Sequence, residues 1–169
     1  MPGLAYLPIA VWLVACVVSD LKTRQVPNTL TLSVLLAAAI WRAISGEWLV
    51  VGMVLILIAV SDLPRIPRIL LAWTAWIVCL ILGGPAQGNL SIALFGAWLL
   101  WELEVMGGAD TKMLTALLLL TGAPLLLIAV LLAGGLQGLI GLVRKEKTVP
   151  YTVAIAAGTI CYLVAERLL

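Results

Sequence analysis

Long apolar runs, separated by short loops that carry charges, glycine or proline, dominate the chain. We divide the sequence into eight apolar segments, at about 4–19, 29–44, 48–62, 69–83, 90–104, 111–121, 124–142 and 150–167. Many of these runs are shorter than the ~20 residues that cross about 30 Å of hydrocarbon. We therefore expect helices that extend into the loops, or a bilayer that thins around them. The pattern predicts an all-α, polytopic transmembrane helix bundle of eight segments, or of six if two are not separate spans.

The sixth segment, 111–121, is the weakest of the eight predictions. At ~1.5 Å per residue such a helix spans only about half of the bilayer. The sequence Thr121-Gly122-Ala123-Pro124 then follows and is expected to end it.

The composition supports a membrane protein and excludes other classes. Hydrophobic residues make up 64% of the 169 positions and charged residues 11%. Soluble domains have roughly 45–50% apolar and about 25% charged residues. The few charged residues of this chain could not cover its apolar surface in water. Glycine and proline are dispersed, which argues against a disordered chain. We expect one transmembrane domain over residues 1–169.

Basic residues are distributed unequally between alternate loops. Loops after the first, third, fifth and seventh segments hold Lys22, Arg24, Arg65, Arg68, Lys112, Arg144, Lys145 and Lys147. The other side holds Arg42 and Arg167. Basic loops remain in the cytoplasm, so the loops at 20–28, 62–68, 105–112 and 143–149 are predicted to be cytoplasmic, in a multi-pass plasma-membrane protein. The net charge of +2 gives no reason to expect a nucleic-acid partner.

The absence of histidine limits the chemistry that the chain can perform. It excludes Ser-His and Cys-His catalysis and zinc hydrolysis through histidine ligands. The three cysteines, Cys16, Cys79 and Cys161, form no CxxC pair. We therefore expect no metal and no cofactor, and carboxylates are the foremost candidates for catalysis.

Two of the predicted cytoplasmic loops carry an aspartate at the end of an apolar segment. In Ser19-Asp20-Leu21-Lys22-Thr23-Arg24-Gln25-Val26-Pro27-Asn28, Pro27 is expected to end any helix that continues from the first segment, and Asn28 suits the N-cap of the second. In Met106-Gly107-Gly108-Ala109-Asp110-Thr111-Lys112, the small residues permit close backbone approach. Asp110 would begin the sixth helix, whose dipole favours a carboxylate.

Asp20 and Asp110 are predicted on the same side of the membrane and could face one another. Two carboxylates within a few ångströms share a proton, so one can activate water while the other polarises a peptide carbonyl. The residues by themselves leave other functions open. Both aspartates would also suit helix caps of a non-catalytic scaffold, or the proton sites of a small proton-coupled carrier.

The two loops together resemble the signature of the type IV prepilin peptidases and archaeal preflagellin peptidases. That family has an aspartate in a basic loop that ends in Pro-Asn or Pro-Asp, and later a Gly-x-Gly-Asp motif followed by lysine. The corresponding residues are Asp20, Lys22, Pro27 and Asn28, and then Gly107, Gly108, Asp110 and Lys112. A weaker similarity is Val149-Pro150-Tyr151 at the start of the last segment, with Ala154, Ile155, Ala156 and Gly158 after it.

The resemblance implies a membrane aspartic endopeptidase of the GxGD type. Asp20 and Asp110 would be the catalytic pair, and Gly107 and Gly108 would shape the loop that carries Asp110. The substrates would be pilin-like or archaellin-like membrane proteins, cut at the cytoplasmic face between a short basic leader and a hydrophobic helix. Acidic residues near the site, namely Asp62, Glu102 and Glu104, are candidates for binding that leader.

The chain departs from the family pattern in three places. Ala109 stands where many members have glycine, and four apolar segments separate the two aspartates where two are usual. The cytoplasmic domain with paired CxxC motifs is missing, so N-methylation of the new terminus is not expected. The compact form resembles archaeal or Tad-type bacterial members. Small-xxx-small spacings at Gly134, Gly135, Gly138 and Gly141 favour close helix packing, within the chain or in a homo-oligomer.

Overall fold

A computed structural model describes residues 7–144 and 151–168 of the chain. The described residues form eight α-helices and no strand: α1 Leu7–Thr23, α2 Asn28–Ile44, α3 Trp48–Ala59, α4 Arg65–Leu82, α5 Gly84–Glu102, α6 Gly108–Thr121, α7 Leu125–Arg144 and α8 Tyr151–Leu168. The all-α prediction is confirmed, and each apolar segment corresponds to one helix. Lys145, Lys147, Val149 and Pro150 lie outside the described residues.

Several helices extend beyond the apolar runs that predict them. The first continues through Asp20 to Thr23, and the fourth already begins at Arg65. Among the described residues, two helical stretches, Arg65–Leu82 and Leu125–Val143, are long and apolar enough to cross a membrane. Three shorter apolar ones accompany them, at Asn28–Ile44, Trp48–Ala59 and Tyr151–Glu166. These lengths are consistent with a membrane helix bundle.

The short helix α6 forms the centre of the bundle. Its residues Leu114, Ala116, Leu117 and Leu118 are fully buried, because α2, α5, α7 and α8 pack around it. Outer helices instead expose large apolar side chains, such as Leu132 and Leu136 of α7. Exposed apolar surface of this extent suits a hydrocarbon solvent rather than water.

The end of α6 was predicted from Gly122, and the structure confirms it. Gly122 has a φ of +66°, the left-handed conformation that glycine adopts most readily. The Arg42 guanidinium packs against this glycine, donates a hydrogen bond to the Leu119 carbonyl and pairs with Glu47. A cation at this position satisfies a free helix carbonyl and interacts favourably with the helix dipole.

The start of α2 differs from the prediction that Asn28 is its N-cap. Pro27 occupies the cap position, with an extended backbone at φ −57° and ψ 132°, and Asn28 is the first helical residue. The Pro27 carbonyl accepts the backbone N–H groups of Leu30 and Thr31. The prediction was wrong because proline has the fixed φ that this boundary needs, which moves the helix start by one residue.

Side-chain contacts bring the alternate loops together at one end of the bundle. Lys112 contacts Asn28, Arg68 contacts Glu102, and Thr152 contacts Asp110. The contacts of Arg42 lie at the opposite end of α6. This arrangement agrees with the alternation of the predicted loops, and the assignment of the shared end to the cytoplasm stays a prediction.

Candidate active site

Asp20 lies on the buried face of α1. Cys16, one helical turn earlier, is fully buried, and Leu13 and Trp12 continue the same face. The Trp12 indole donates a hydrogen bond of 3.0 Å to the Leu30 carbonyl, which fixes α1 against α2. The side of α1 that packs into the bundle therefore ends in a carboxylate.

The loop after Asp20 folds back over the end of α1. Arg24 has a φ of 55°, and its backbone N–H donates to the Asp20 carbonyl at 2.8 Å. Hydroxyl groups of Ser19 and Thr23 both donate to the Gln25 carbonyl, at 3.1 and 2.9 Å. These bonds satisfy helix-end groups locally and hold the backbone around Asp20 in one conformation.

Asp110 lies in the first turn of α6, as the sequence predicts. Met113, Leu114 and Leu117 follow it at spacings of three, four and seven residues, and all three are buried. Asp110 therefore lies at the end of a buried face, outside the apolar run that follows it. Gly107 precedes α6 with an extended backbone, and its carbonyl accepts both the N–H and the hydroxyl of Thr111 at 3.0 Å.

The two oxygens of the Asp110 carboxyl group have different surroundings. Oδ1 accepts a hydrogen bond of 3.3 Å from the Thr152 hydroxyl, which belongs to the first turn of α8. Oδ2 lies beside Gly107, where a Cβ would be only 3.2 Å away. Glycine at position 107 therefore leaves the space that this oxygen occupies.

The surroundings of Asp110 favour its protonated form. Burial raises the pKa of Asp110, the Thr152 hydrogen bond lowers it, and the nearby negative charge of Asp20 raises it further, with burial the largest effect. The effect of Asp20 has the sign expected for a second negative charge near a carboxyl group. Such a pair suits general acid–base chemistry without histidine.

The model for the type IV leader peptidase family matches residues 7–143. The chain belongs to this family. It is therefore an aspartic-type leader peptidase, and its fold and apolar helices indicate a membrane protein. No curated protein and no solved structure matches the chain. The matched residues include Asp20 and Asp110 and end before α8 begins.

The lysines that follow the two aspartates in this peptidase have different positions. The Lys112 ammonium group donates a hydrogen bond of 3.3 Å to Asn28 Oδ1, so it joins α6 to α2. Lys22 is exposed on the last turn of α1. The two motifs that predict the family are thus in direct contact through Lys112 and Asn28, beside Pro27.

Glu102 is held in an ion-pair cluster with two arginines of α4. Its side chain is only 4% exposed, and Arg68 contacts both carboxylate oxygens, at 2.9 and 2.8 Å. Arg65 adds a contact of 3.4 Å, and the Arg68 guanidinium lies 5.2 Å from the centre of the Trp101 ring. The charge of Glu102 is therefore already neutralised, and the proposal that it binds a basic leader stays untested.

The other two candidate leader-binding residues are exposed. Glu104 lies in the turn after α5 with a φ of 58°, and Asp62 lies between α3 and α4. Asp62 also lines a cavity of about 290 Å³ whose walls include Thr111 and Thr115. These threonines occupy a different face of α6 from Asp110, so the cavity and the Asp110 carboxyl group lie on different sides of this helix.

Within the described residues, the acidic and cysteine side chains form no group of three that would hold a metal ion.

Thr152 contacts Asp110 directly but was not predicted from the sequence. The signal available for it was its spacing to Ile155 and Thr159, which gives α8 one buried face. Which helix that face contacts depends on packing that the sequence pattern does not encode.

Proposed function

We propose that the chain is a membrane endopeptidase that removes the short basic leader from pilin-like or archaellin-like proteins, with Asp20 and Asp110 as its catalytic residues. The observation that carries the proposal is the placement of Asp110, half-buried at the start of α6 and influenced by the charge of Asp20. Membership of the leader peptidase family supports it, and favours a peptidase over the carrier and the scaffold that the residues left open.

In the proposed mechanism the two carboxyl groups have different roles. Asp110, whose pKa burial raises, holds a proton and donates it in a hydrogen bond to the scissile carbonyl. Asp20, as a carboxylate, takes a proton from water, and the resulting hydroxide attacks the carbonyl carbon. The attack moves the proton of Asp110 onto the former carbonyl oxygen. When the tetrahedral intermediate breaks down, the proton on Asp20 passes to the leaving amine, and Asp110 takes its proton back from that oxygen.

The proposed substrate follows from the position of the aspartates at the ends of apolar helices. A peptide bond at the boundary between a basic leader and a hydrophobic helix would reach this depth while the helix stays in the bilayer. The basic loops on the same side support a cytoplasmic site. Exposed acidic residues at this end, Asp62 and Glu104, are the proposed contacts for the leader.

A cleavage assay in proteoliposomes tests this function. The purified protein is mixed with a pilin-like substrate that has a basic leader, and the masses of the products are measured by mass spectrometry. A single cut between leader and hydrophobic helix, absent with Asp110→Asn, is the expected result. An intact substrate after incubation with folded wild-type protein, across several such substrates, would contradict the proposal.

A further inference from the structure

Thr152 is a buried polar residue that directly contacts a proposed catalytic group. It is 1% exposed, and its hydroxyl donates to Asp110 Oδ1 at 3.3 Å. Ile155 and Thr159, at spacings of three and seven residues, are fully buried on the same face of α8. The residue lies beyond the part of the chain that the family model matches, which ends at residue 143.

We propose that Thr152 is a positioning residue that holds the Asp110 carboxyl group in its reactive orientation. The inference rests on the proposed function, because it assigns Asp110 to catalysis. With Oδ1 occupied by the Thr152 hydroxyl, the proton of Asp110 resides on Oδ2, the oxygen beside Gly107. One carboxyl oxygen is thus fixed by the protein, and the other is left for the substrate.

The helix that carries Thr152 is held firmly against its neighbour. Gly158 approaches α7 so closely that a Cβ would lie 2.7 Å from the Val130 Cα. The Tyr151 ring packs on Gly134 in the same way. Helix α8 also packs against both α1 and α6, which carry the two aspartates. Thr152 therefore has a fixed support, as a positioning residue needs.

The hydrogen bond should also influence how Asp110 titrates. A hydroxyl that donates to a carboxylate stabilises the ionised form, so removing it raises the pKa of Asp110. The titratable groups that act on this carboxyl are Asp20 on α1 and Tyr151 on α8. On the other helices, Lys112 is bonded to Asn28 of α2, and Glu102 of α5 is paired with Arg65 and Arg68 of α4. The described side chains of α7, residues 125–143, include no titratable group.

Thr152→Val tests the inference, because valine has nearly the same shape but no hydroxyl. Thr152→Ser keeps the hydroxyl, and Thr159→Val removes a buried hydroxyl from the same helix face, where it donates to the Ile155 carbonyl of its own helix. We expect Thr152→Val to lose about 10-fold in kcat, a fraction of the 10²–10⁴-fold that general acid–base catalysis supplies. In the plot of activity against pH, the alkaline limb of Thr152→Val should move to higher pH. The activity and the pH profile of Thr152→Ser and Thr159→Val should stay close to those of the wild type.

The results separate a positioning role from a structural one. A wild-type pH profile for Thr152→Val, or the same loss in Thr159→Val, would overturn the inference. Infrared titration of the protonated carboxyl band, assigned by its absence in Asp110→Asn, follows Asp110 without any turnover. A higher midpoint in Thr152→Val supports the inference, and an unchanged midpoint contradicts it. If Asp110→Asn still cleaves substrate, the proposed function fails, whatever the infrared titration gives.

Discussion

Lys112 donates a hydrogen bond to Asn28, 84 positions earlier in the chain, and so joins the two loops that carry Asp20 and Asp110. Asn28 begins α2, while Lys112 lies two residues after Asp110. The contact fixes the start of α6 relative to the loop that follows Asp20. A polar bond at the rim of the site can therefore affect catalysis without touching the substrate.

Replacement of Lys112 by methionine should reduce cleavage modestly. Hydrogen bonds and ion pairs at exposed positions contribute ~0.2–1 kcal/mol, which predicts a loss of about 1.4-fold to fivefold in kcat. Asn28→Ala should have a similar effect, and the double variant should be no worse than either single one. Lys22→Met is the matched control, because Lys22 is exposed on α1. Full additivity in the double variant would contradict the role of this contact.

The sequence could predict the helices because membrane helices follow directly from apolar runs. Even for the weakest prediction, α6, both limits could be explained from the sequence, since Asp110 favours a helix start and Gly122 a helix end. The predicted N-cap of α2 was wrong by one residue. Proline and asparagine both suit that boundary, and the backbone conformation shows that Pro27 is the cap. Asp20 and Asp110 were singled out because each stands at the end of an apolar run in a loop that resembles the family signature, and their catalytic role stays a prediction.

Contacts between distant helices could not be predicted in the same way. Thr152 and Arg42 contact residues 42 and 77 positions away, respectively, and depend on how the helices pack. Glu102 gives the opposite lesson. Its negative charge near the predicted site suggested a role in binding the basic leader, and in the structure its carboxylate pairs with two arginines of α4. Charge alone does not tell a free carboxylate from a neutralised one.

An alanine at position 107 should impair catalysis more than one at position 108. The Cβ of Gly107→Ala would lie 3.2 Å from Asp110 Oδ2 and displace that oxygen. Since small displacements of reacting groups can cost up to about 10²-fold, we expect a loss of at least roughly 10-fold in kcat. Gly108→Ala is the control, because its Cβ would make an ordinary 3.6 Å contact with the Trp101 indole nitrogen. Equal activity of the two variants would refute this account of Gly107.

Removal of the Glu102 charge should destabilise the protein. Glu102→Gln leaves Arg68 without its ionic partner in a nearly buried position, a change that typically costs ~3–5 kcal/mol. Glu104→Gln, at an exposed position, should change the free energy of unfolding by less than about 0.5 kcal/mol. Thermal unfolding in detergent compares the two. A Glu102→Gln variant as stable as wild type, but with a raised KM for a basic-leader substrate, would instead assign Glu102 to leader binding.

The raised pKa of Asp110 predicts a pH-dependent stability. As the pH rises above about 4, Asp110 ionises first in the unfolded chain, so the folded state loses stability until its own carboxyl ionises. Asp110→Asn cannot ionise and should therefore be more stable than wild type at pH 7. The difference in stability between the two proteins should shrink near pH 4. Thermal unfolding of both proteins at pH 4 and at pH 7 measures it. Asp62→Asn, at an exposed position, serves as control. A wild type more stable than Asp110→Asn at pH 7 would contradict the burial of this charge.

The most direct test of the two-aspartate site compares wild type, Asp20→Asn, Asp110→Asn and Glu166→Gln in one cleavage assay with a pilin-like substrate. Glu166 is an exposed carboxylate near the far end of α8. The account predicts that wild type and Glu166→Gln cut ahead of the hydrophobic helix, whereas each asparagine variant folds but does not cut. Cleavage by either asparagine variant would remove that aspartate from the catalytic pair and contradict the mechanism.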